Sequence, residues 1–171
     1  MAYSLSNYII DFCKENELQK LQKFINNHWS PNHIMSSSNR LMAWQHHDKK
    51  NKRYNFVIAK HKKTGKIHAI LGFFPTSQYD SSLKYTDLAL AIWKVRDDVK
   101  TIGLGVSLID FLSNKINPRT LYGIGVNPRV VPIYKYMGFK VGKMNHYYIV
   151  NKEKKDFHLI SNFNRIFLIL L

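Results

Sequence analysis

Cysteine is almost absent from this sequence, and acidic residues are scarce. Cys13 is the single cysteine, so no disulfide can form within the chain. Residues 1–11 lack the basic stretch and apolar run that are typical of a signal peptide. The apolar residues 157–171 are too few for a membrane span and are interrupted by Asn and Arg. We therefore expect a cytoplasmic protein without a membrane span.

The shortage of acidic residues leaves the chain strongly basic. Lysine and arginine outnumber aspartate and glutamate by 26 to 11, which gives a formal net charge of +15. Such a field attracts phosphate-bearing small molecules, anionic membrane surfaces and nucleic acid. The clearest basic cluster, residues 49–53 and 60–66, is interpreted as a solvated loop and hairpin turn, so we expect no nucleic acid. His33, His46 and His47 lack carboxylate or cysteine partners at metal-ligand spacing, and no metal site is expected.

Helical periodicity is visible in the first fifty residues. Leu18, Leu21, Phe24 and Ile25 lie at the 3, 4 and 7 spacing of an amphipathic helix, which we predict over residues 8–28. Pro31 ends that helix. The polar residues 36–39 predict a loop that caps a second helix through residues 41–44.

Strands and helices alternate from residue 55 onward, which predicts an α/β fold. Residues 55–59 and 67–74 predict a hairpin with Gly65 in the left-handed conformation. The near-continuous apolar run in residues 85–95 predicts a central strand buried on both faces. The remaining predicted elements are a helix at 106–115, a strand at 120–126, a helix at 129–137 and a strand at 140–150.

Gly103 and Gly105 lie where the central strand gives way to a helix. Without a Cβ, their backbone can approach a bound group closely, and the first-turn amides of a helix attract anions such as phosphate. The dinucleotide fingerprint would need a third glycine at Leu108, and no Gly-Lys-Ser/Thr follows as in a P-loop. The pattern therefore predicts a phosphate site without naming its ligand.

A second block lies in residues 123–139. Asn127 ends a strand, Tyr134 lies in a short helix, and Gly138-Phe139 breaks that helix. In order and spacing the two blocks resemble the GNAT acetyltransferase superfamily, over residues 55–150. That family opens its cofactor helix with Gln or Arg, two residues, Gly, one residue, then Gly or Ala.

The chain departs from this family pattern at two positions. Lys100 stands where Gln or Arg is usual, and Thr101 stands where glycine is common. Lysine keeps the positive charge but lacks the planar guanidinium, so we expect pyrophosphate binding with altered geometry.

The resemblance implies a mixed central β-sheet flanked by helices, the acyl-CoA N-acyltransferase fold. One domain would span residues 1–151, with residues 1–50 on the acceptor side and residues 55–150 forming the acyl-CoA-binding core. Residues 152–171 would pack on this domain, form a homodimer contact or begin a second domain.

The resemblance also implies transfer of an acetyl group, or another short acyl group, from acetyl-CoA to a primary amine. Trp93 and Val95 would hold the pantetheine arm, and Asn127 would contact the cofactor or a bulge at its strand end. Tyr134 would be the general acid and Asp87 the base, with His33 and His46 as alternatives. The pyrophosphate would be held at Lys100, Thr101, Ile102, Gly103, Leu104, Gly105 and Val106.

Trp29, His33, Trp44 and His46 are the candidate acceptor-binding residues. Aromatic faces stack on sugar or base rings, which favours an amino sugar or nucleotide-amino-sugar of surface polysaccharide synthesis. They would otherwise be packing residues. A non-catalytic acyl-CoA-binding or nucleic-acid-binding module on the same fold is the alternative function.

Overall fold

A mixed β-sheet forms the centre of the fold in the computed structural model, which describes residues 4–144 and residue 153. Within the described residues the strand order is β1-β3-β4-β5-β6, with β2 paired to β3, and of these pairs only β5 and β6 are parallel. The predicted α/β class with a mixed central sheet is confirmed. The strands are β1 (Tyr8–Lys14), β2 (His47–Asp48), β3 (Arg53–His61), β4 (Ile67–Pro75), β5 (Asp87–Val95) and β6 (Thr120–Gly123).

Helices flank this sheet. They are α1 (Leu18–Phe24), α2 (Ile34–Ser37), α3 (Asn39–His46), α4 (Leu104–Ile116) and α5 (Val131–Tyr136). Leu21 of α1 and Met42 of α3 pack in one apolar cluster with Phe56 of β3 and Ile92 of β5. The neighbouring Trp93 instead contacts α4, because successive side chains of a strand point to opposite faces. The sheet is therefore covered by α1, α2 and α3 on one face and by α4 on the other.

The N-terminal helix prediction is wrong over residues 8–14. This segment is β1, paired antiparallel with β3 from Tyr8 opposite His61 to Lys14 opposite Arg53. A short 3₁₀ turn, Glu15–Glu17, leads into α1, and a π-helical turn, Ile25–Trp29, follows it. The apolar residues that suggested the helix all begin at Leu18, whereas residues 8–13 are rich in aromatic and β-branched side chains that favour a strand.

The second helix and the hairpin are confirmed. Ser38 caps α3, with its side-chain oxygen accepting a hydrogen bond from the Leu41 amide at 3.2 Å. Residues 34–37, however, form the short helix α2 where part of a loop was expected. Gly65 has φ +65° in the turn between β3 and β4, the left-handed conformation that the turn required.

Several later elements are shorter than predicted. β5 begins at Asp87, and only Leu88, Leu90 and Ile92 of this strand are buried, so the expectation of burial on both faces is wrong. β6 ends at Gly123, and α5 is preceded by a 3₁₀ turn, Pro128–Val130. Residues 140–144 form no strand; the rest of that predicted strand lies outside the described residues.

The chain divides into two compact units, the first ending at Val126 and the second beginning at Asn127. The sheet and helices α1 to α4 belong to the first unit, and α5 belongs to the second. The prediction of one domain over residues 1–151 stays a prediction. The predicted roles of residues 152–171 fall outside the described residues, apart from Glu153.

Cys13 and His46 are among the buried titratable residues of the first unit. Cys13 is fully buried, and burial raises the pKa of its thiol to about 12. His46 is 1% exposed, with its ring 4.5 Å from that of Phe56 and 4.4 Å from that of Phe74. Burial lowers the pKa of His46 from 6.5 to about 4, although hydrogen bonds to the main chain of Phe73 and Asn55 oppose the shift.

We predict that His46 makes the protein sensitive to mild acid. Its folded-state pKa is depressed, so the unfolded chain binds the extra proton, and stability is lost as the pH falls from about 6.5 towards 4. Between pH 7 and pH 5 the wild type should lose about 2 kcal/mol more unfolding free energy than His46→Phe, which keeps a ring between the two phenylalanines. Urea unfolding at both pH values measures this difference.

The matched control is His47→Phe. His47 is only half-buried, stacks on Tyr54 and pairs with Glu15 at 2.7 Å, so its replacement leaves the titration of His46 in place. An equal loss of stability in the wild type and His46→Phe would contradict the assignment.

Candidate functional site

The edge of β5 is open over its second half. β4 pairs with β5 as far as Val95, whereas β6 pairs with it only over Asp87–Leu90. Within residues 4–144, no strand faces residues 91–95 on the β6 side. The main-chain groups on that edge can therefore bind an extended ligand as an added strand would. The role of Trp93 and Val95 in holding a pantetheine arm stays a prediction.

A β-bulge lies at the start of this open edge. Leu71 of β4 faces Trp93, but Phe73 faces Leu90, so Gly72 is opposite both Ala91 and Ile92. A bulge leaves one residue out of the ladder and redirects its main-chain groups. The bulge therefore lies where β6 leaves β5, next to the open edge.

The segment after β5 runs into the N-terminus of α4. Gly103 is the residue before the helix and has φ +78°, and a Cβ built there would meet nothing within 4 Å. The first-turn amides of this 13-residue helix lack helical partners, and no acidic residue lies in that turn. This helix N-terminus is suited to an anion.

Gly105 serves packing more than access to a ligand. A Cβ at Gly105 would lie 3.3 Å from atoms of Trp93 and Val95, and the Trp93 indole N–H donates to the Gly105 carbonyl at 3.0 Å. The absence of a side chain lets α4 pack directly on β5. Gly105→Val would therefore disturb the fold, and Gly103 is the cleaner position for testing an anion site.

Thr101 is held inward while its neighbours point to solvent. Its hydroxyl lies 3.3 Å from the Tyr8 hydroxyl, which lies 3.0 Å from Nδ1 of His68, and all three residues are buried. Ile102 is 95% exposed, and the Lys100 ammonium is exposed, 3.4 Å from the Asp97 carbonyl. Sequence reasoning missed Tyr8 and His68, because no local pattern connects positions 93 residues apart.

Ion pairs brace the start of the same segment. Lys94 pairs with Asp97 at 2.7 Å, and the Arg96 guanidinium donates two hydrogen bonds to Asp98 at 2.9 and 2.6 Å. These hydrogen bonds lower the pKa of both carboxyl groups, so both stay ionised and neutralised by their partners. These contacts connect residues 97 and 98 of the loop to the end of β5.

Asp87 lies at the end of β5 away from the open edge. The Arg119 guanidinium binds its carboxylate through two hydrogen bonds and lowers its pKa. A paired carboxylate with a lowered pKa is a weak proton acceptor. Asp87 is also about 20 Å along the strand from Trp93, at about 3.3 Å per residue. This environment favours a structural role for Asp87 over that of a base.

The second unit holds Tyr134 and Asn127. Tyr134 is buried, its ring meets that of Phe139 edge to face at 5.1 Å, and its carbonyl accepts from the Phe139 amide at 3.0 Å. Burial raises the pKa of Tyr134, which keeps the hydroxyl protonated at neutral pH. Asn127 caps the following 3₁₀ turn by accepting from the Arg129 amide at 3.0 Å.

The four candidate acceptor residues have different environments. Trp29 and Trp44 are 45% and 68% exposed and can contact a ligand. His33 is half-buried, and its Nδ1 accepts from the Met35 amide at 3.3 Å, capping α2. His46 lies inside the core, where it cannot contact an acceptor. The two tryptophans are exposed and His46 is buried, a difference that residue type alone does not reveal.

Neither a metal cluster nor a membrane-spanning helix is found in the described part of the chain. No group of three or more His, Cys, Asp or Glu residues within residues 4–144 and 153 could hold a metal ion. Within the same residues, no helix is long and apolar enough to cross a membrane.

The fold is similar to those of several solved structures. AAC(6′)-Iy in complex with the bisubstrate analogue CoA-S-monomethyl-acetylneamine is 12% identical, with a TM-score of 0.60 over 84% of this chain and 98% of its own. An aminoglycoside acetyltransferase from an uncultured soil metagenomic sample is 10% identical, with a TM-score of 0.60 over 84% and 99%. Mosquito arylalkylamine N-acetyltransferase like 5b is 11% identical, with a TM-score of 0.56 over 80% and 84%.

Sequence comparison adds nothing to this, since no protein-family model and no curated protein matches the chain. The likeness lies in the three-dimensional arrangement and covers most of each chain. The chain therefore has the fold of the GNAT acetyltransferase superfamily, and the resemblance drawn from the glycine and tyrosine motifs is confirmed for the fold.

Proposed function

We propose that the protein transfers an acetyl or other short acyl group from acyl-CoA to the primary amine of a small molecule. One observation carries this proposal. The open edge of β5 is followed, after a short loop, by the N-terminus of α4, and Gly103 is the residue before that helix. An extended, amide-containing arm that ends in a pyrophosphate matches that sequence of features. The likeness to AAC(6′)-Iy, solved with a coenzyme A bisubstrate analogue, supports it.

Different main-chain and side-chain groups would bind different parts of acyl-CoA. Main-chain groups of Trp93 and Val95 would pair with the pantetheine arm along the open edge. The amides from Ile102 to Val106 would hold the pyrophosphate, with Lys100 as an exposed cation beside them. The space around Gly103 is open, as such binding requires. Thr101 would take no direct part, because its hydroxyl is turned inward to Tyr8.

In the proposed reaction the amine nitrogen bonds to the thioester carbonyl carbon, and the carbon–sulfur bond breaks. Main-chain donors near the bulge at Ala91 would stabilise the negative charge that develops on the carbonyl oxygen. Tyr134 would give its hydroxyl proton to the departing thiolate. Asn127, which caps the 3₁₀ turn before α5, would contact the cofactor.

The amine must lose a proton before it attacks, and we propose that water accepts it. Asp87 is held by Arg119, and buried His46 is a poor base with a pKa of about 4. A positive field around the acceptor would lower the pKa of a bound ammonium and so raise the fraction of free amine. A dedicated carboxylate base is then unnecessary.

An amino sugar is the acceptor class that we propose, including nucleotide-amino-sugars. The exposed rings of Trp29 and Trp44 offer apolar faces for a sugar ring, and the basic field favours an acceptor that carries phosphate. One protein of similar fold is named an aminoglycoside acetyltransferase, and aminoglycosides contain amino sugars. A polyamine acceptor is disfavoured by charge repulsion.

We predict that Gly103→Ala weakens coenzyme A binding at least about tenfold. A non-glycine residue at φ +78° is strained by roughly 1 kcal/mol, and relaxation of the loop would move the first-turn amides away from the pyrophosphate. Isothermal titration of coenzyme A measures the loss. Gly65→Ala is the matched control, because its φ of +65° imposes similar strain in an equally open turn elsewhere. Equal affinity in the two variants would remove the assignment of the phosphate site.

Tyr134→Phe separates an enzyme from a non-catalytic binding module. The ring that packs on Phe139 is kept, so folding and coenzyme A affinity should change little. Loss of the proton donor should lower kcat by roughly 10²-fold with little change in KM. Steady-state release of free thiol against amino sugars measures this. Tyr136→Phe, on the same helix and 91% exposed, should retain full activity.

If both tyrosine variants have the kcat of the wild type, Tyr134 has only a packing role. Absence of wild-type turnover together with tight coenzyme A binding would favour the binding module.

A further inference from the structure

A basic cavity lies in the first unit, apart from the open edge of β5. Its volume is about 420 Å³, and it is formed by α1, the turn between β3 and β4, and the residue that follows β5. Four permanent cations line it, namely Lys20, Lys23, Lys66 and Arg96. Small-molecule sites in proteins have volumes of roughly 300–1,000 Å³, so this cavity could hold a small ligand.

No acidic side chain is among the described residues that line the basic cavity. Within residues 4–144 and 153, Arg96 is the one lining cation with a carboxylate partner, Asp98, and the three lysines have none. His28 also lines the cavity. Its pKa is lowered mainly by burial and, to a smaller extent, by the charge of Arg96. Histidine is therefore mostly neutral there at pH 7, and the lysines and Arg96 provide the positive field.

Packed rings and a hydrogen-bonded turn form the walls of the basic cavity. Phe24 and Ile67 are buried in the core and give it an apolar base, and the His28 ring packs 5.0 Å from that of Phe24. The hairpin turn is closed by the Gly65 amide, which donates to the His61 carbonyl at 2.8 Å. Lys20 and Lys23 are three residues apart on a helix, so they project from the same side.

We propose that this basic cavity binds the phosphate groups of a small phosphorylated molecule, at a site distinct from the N-terminus of α4. Several cations around one concave site favour a compact anion with more than one negative charge. An extended nucleic acid would instead require a basic stripe along the surface. Arg96 offers a planar guanidinium for a phosphate, in competition with Asp98.

The position of Arg96 connects the basic cavity to the segment before Gly103. The Arg96 amide donates to the His68 carbonyl at 2.9 Å, and His68 is bonded through Tyr8 to Thr101. If a phosphate binds the Arg96 side chain in place of Asp98, it therefore changes the contacts at the start of residues 96–103, the loop that leads to the proposed pyrophosphate site. The inference itself does not depend on acyl transfer.

The test is isothermal titration of inorganic pyrophosphate into the whole chain at about 0.15 M salt, with and without saturating coenzyme A. The wild type should bind pyrophosphate in both cases, because coenzyme A occupies only the other site. The double variant Lys23→Gln with Lys66→Gln should weaken that binding at least about tenfold. The matched control, Lys62→Gln with Lys63→Gln, removes the same charge from exposed neighbours that do not line the cavity, and it should bind within twofold of the wild type.

Three results would overturn the proposal: no pyrophosphate binding by the wild type, complete displacement of the pyrophosphate by saturating coenzyme A, or equal weakening in both double variants. Displacement would assign the pyrophosphate to the α4 site, and equal weakening would indicate only the general field. If coenzyme A itself fails to bind, the proposed function fails, but the pyrophosphate titration of the two double variants still decides the cavity.

Discussion

Unequal pairing of β5 is the constraint on which the rest of the structure depends. β4 follows this strand to Val95, but β6 leaves it after Leu90, so half of one edge has no neighbouring strand within residues 4–144. After β5 the chain forms α4, which packs on one face of the sheet. Because Gly105 has no side chain, α4 can pack directly on Trp93 and Val95. Open edge and helix N-terminus thus arise together from one local arrangement.

The loop between β5 and α4 is shaped by partners on both sides. Arg96 and Lys94 bind Asp98 and Asp97 at its surface, and Thr101 reaches inward to Tyr8. A loop that is already ordered loses less conformational entropy when a ligand binds. The threonine that departs from the family's common glycine therefore has a structural explanation, since glycine would have no hydroxyl for this contact.

Features that depend on neighbours in sequence were predictable, and features that depend on distant partners were not. The left-handed Gly65, the Ser38 cap and the helix after Gly103 follow from local turn and capping chemistry. β1 was missed because its pairing with β3 outweighs the nearby helical periodicity. Asp87 is the only carboxylate of β5, which suggests a base, but its partner Arg119, 32 residues away, cannot be read from the spacing.

The burial of Cys13 has a practical consequence for measuring turnover. Thiol reagents attack the thiolate, and a fully buried cysteine with a pKa of about 12 presents almost none at the pH of an assay. The folded protein is therefore silent towards a colorimetric thiol reagent. Colour that develops with time can be attributed to released coenzyme A, and a sudden additional equivalent would report unfolding of the core around β1.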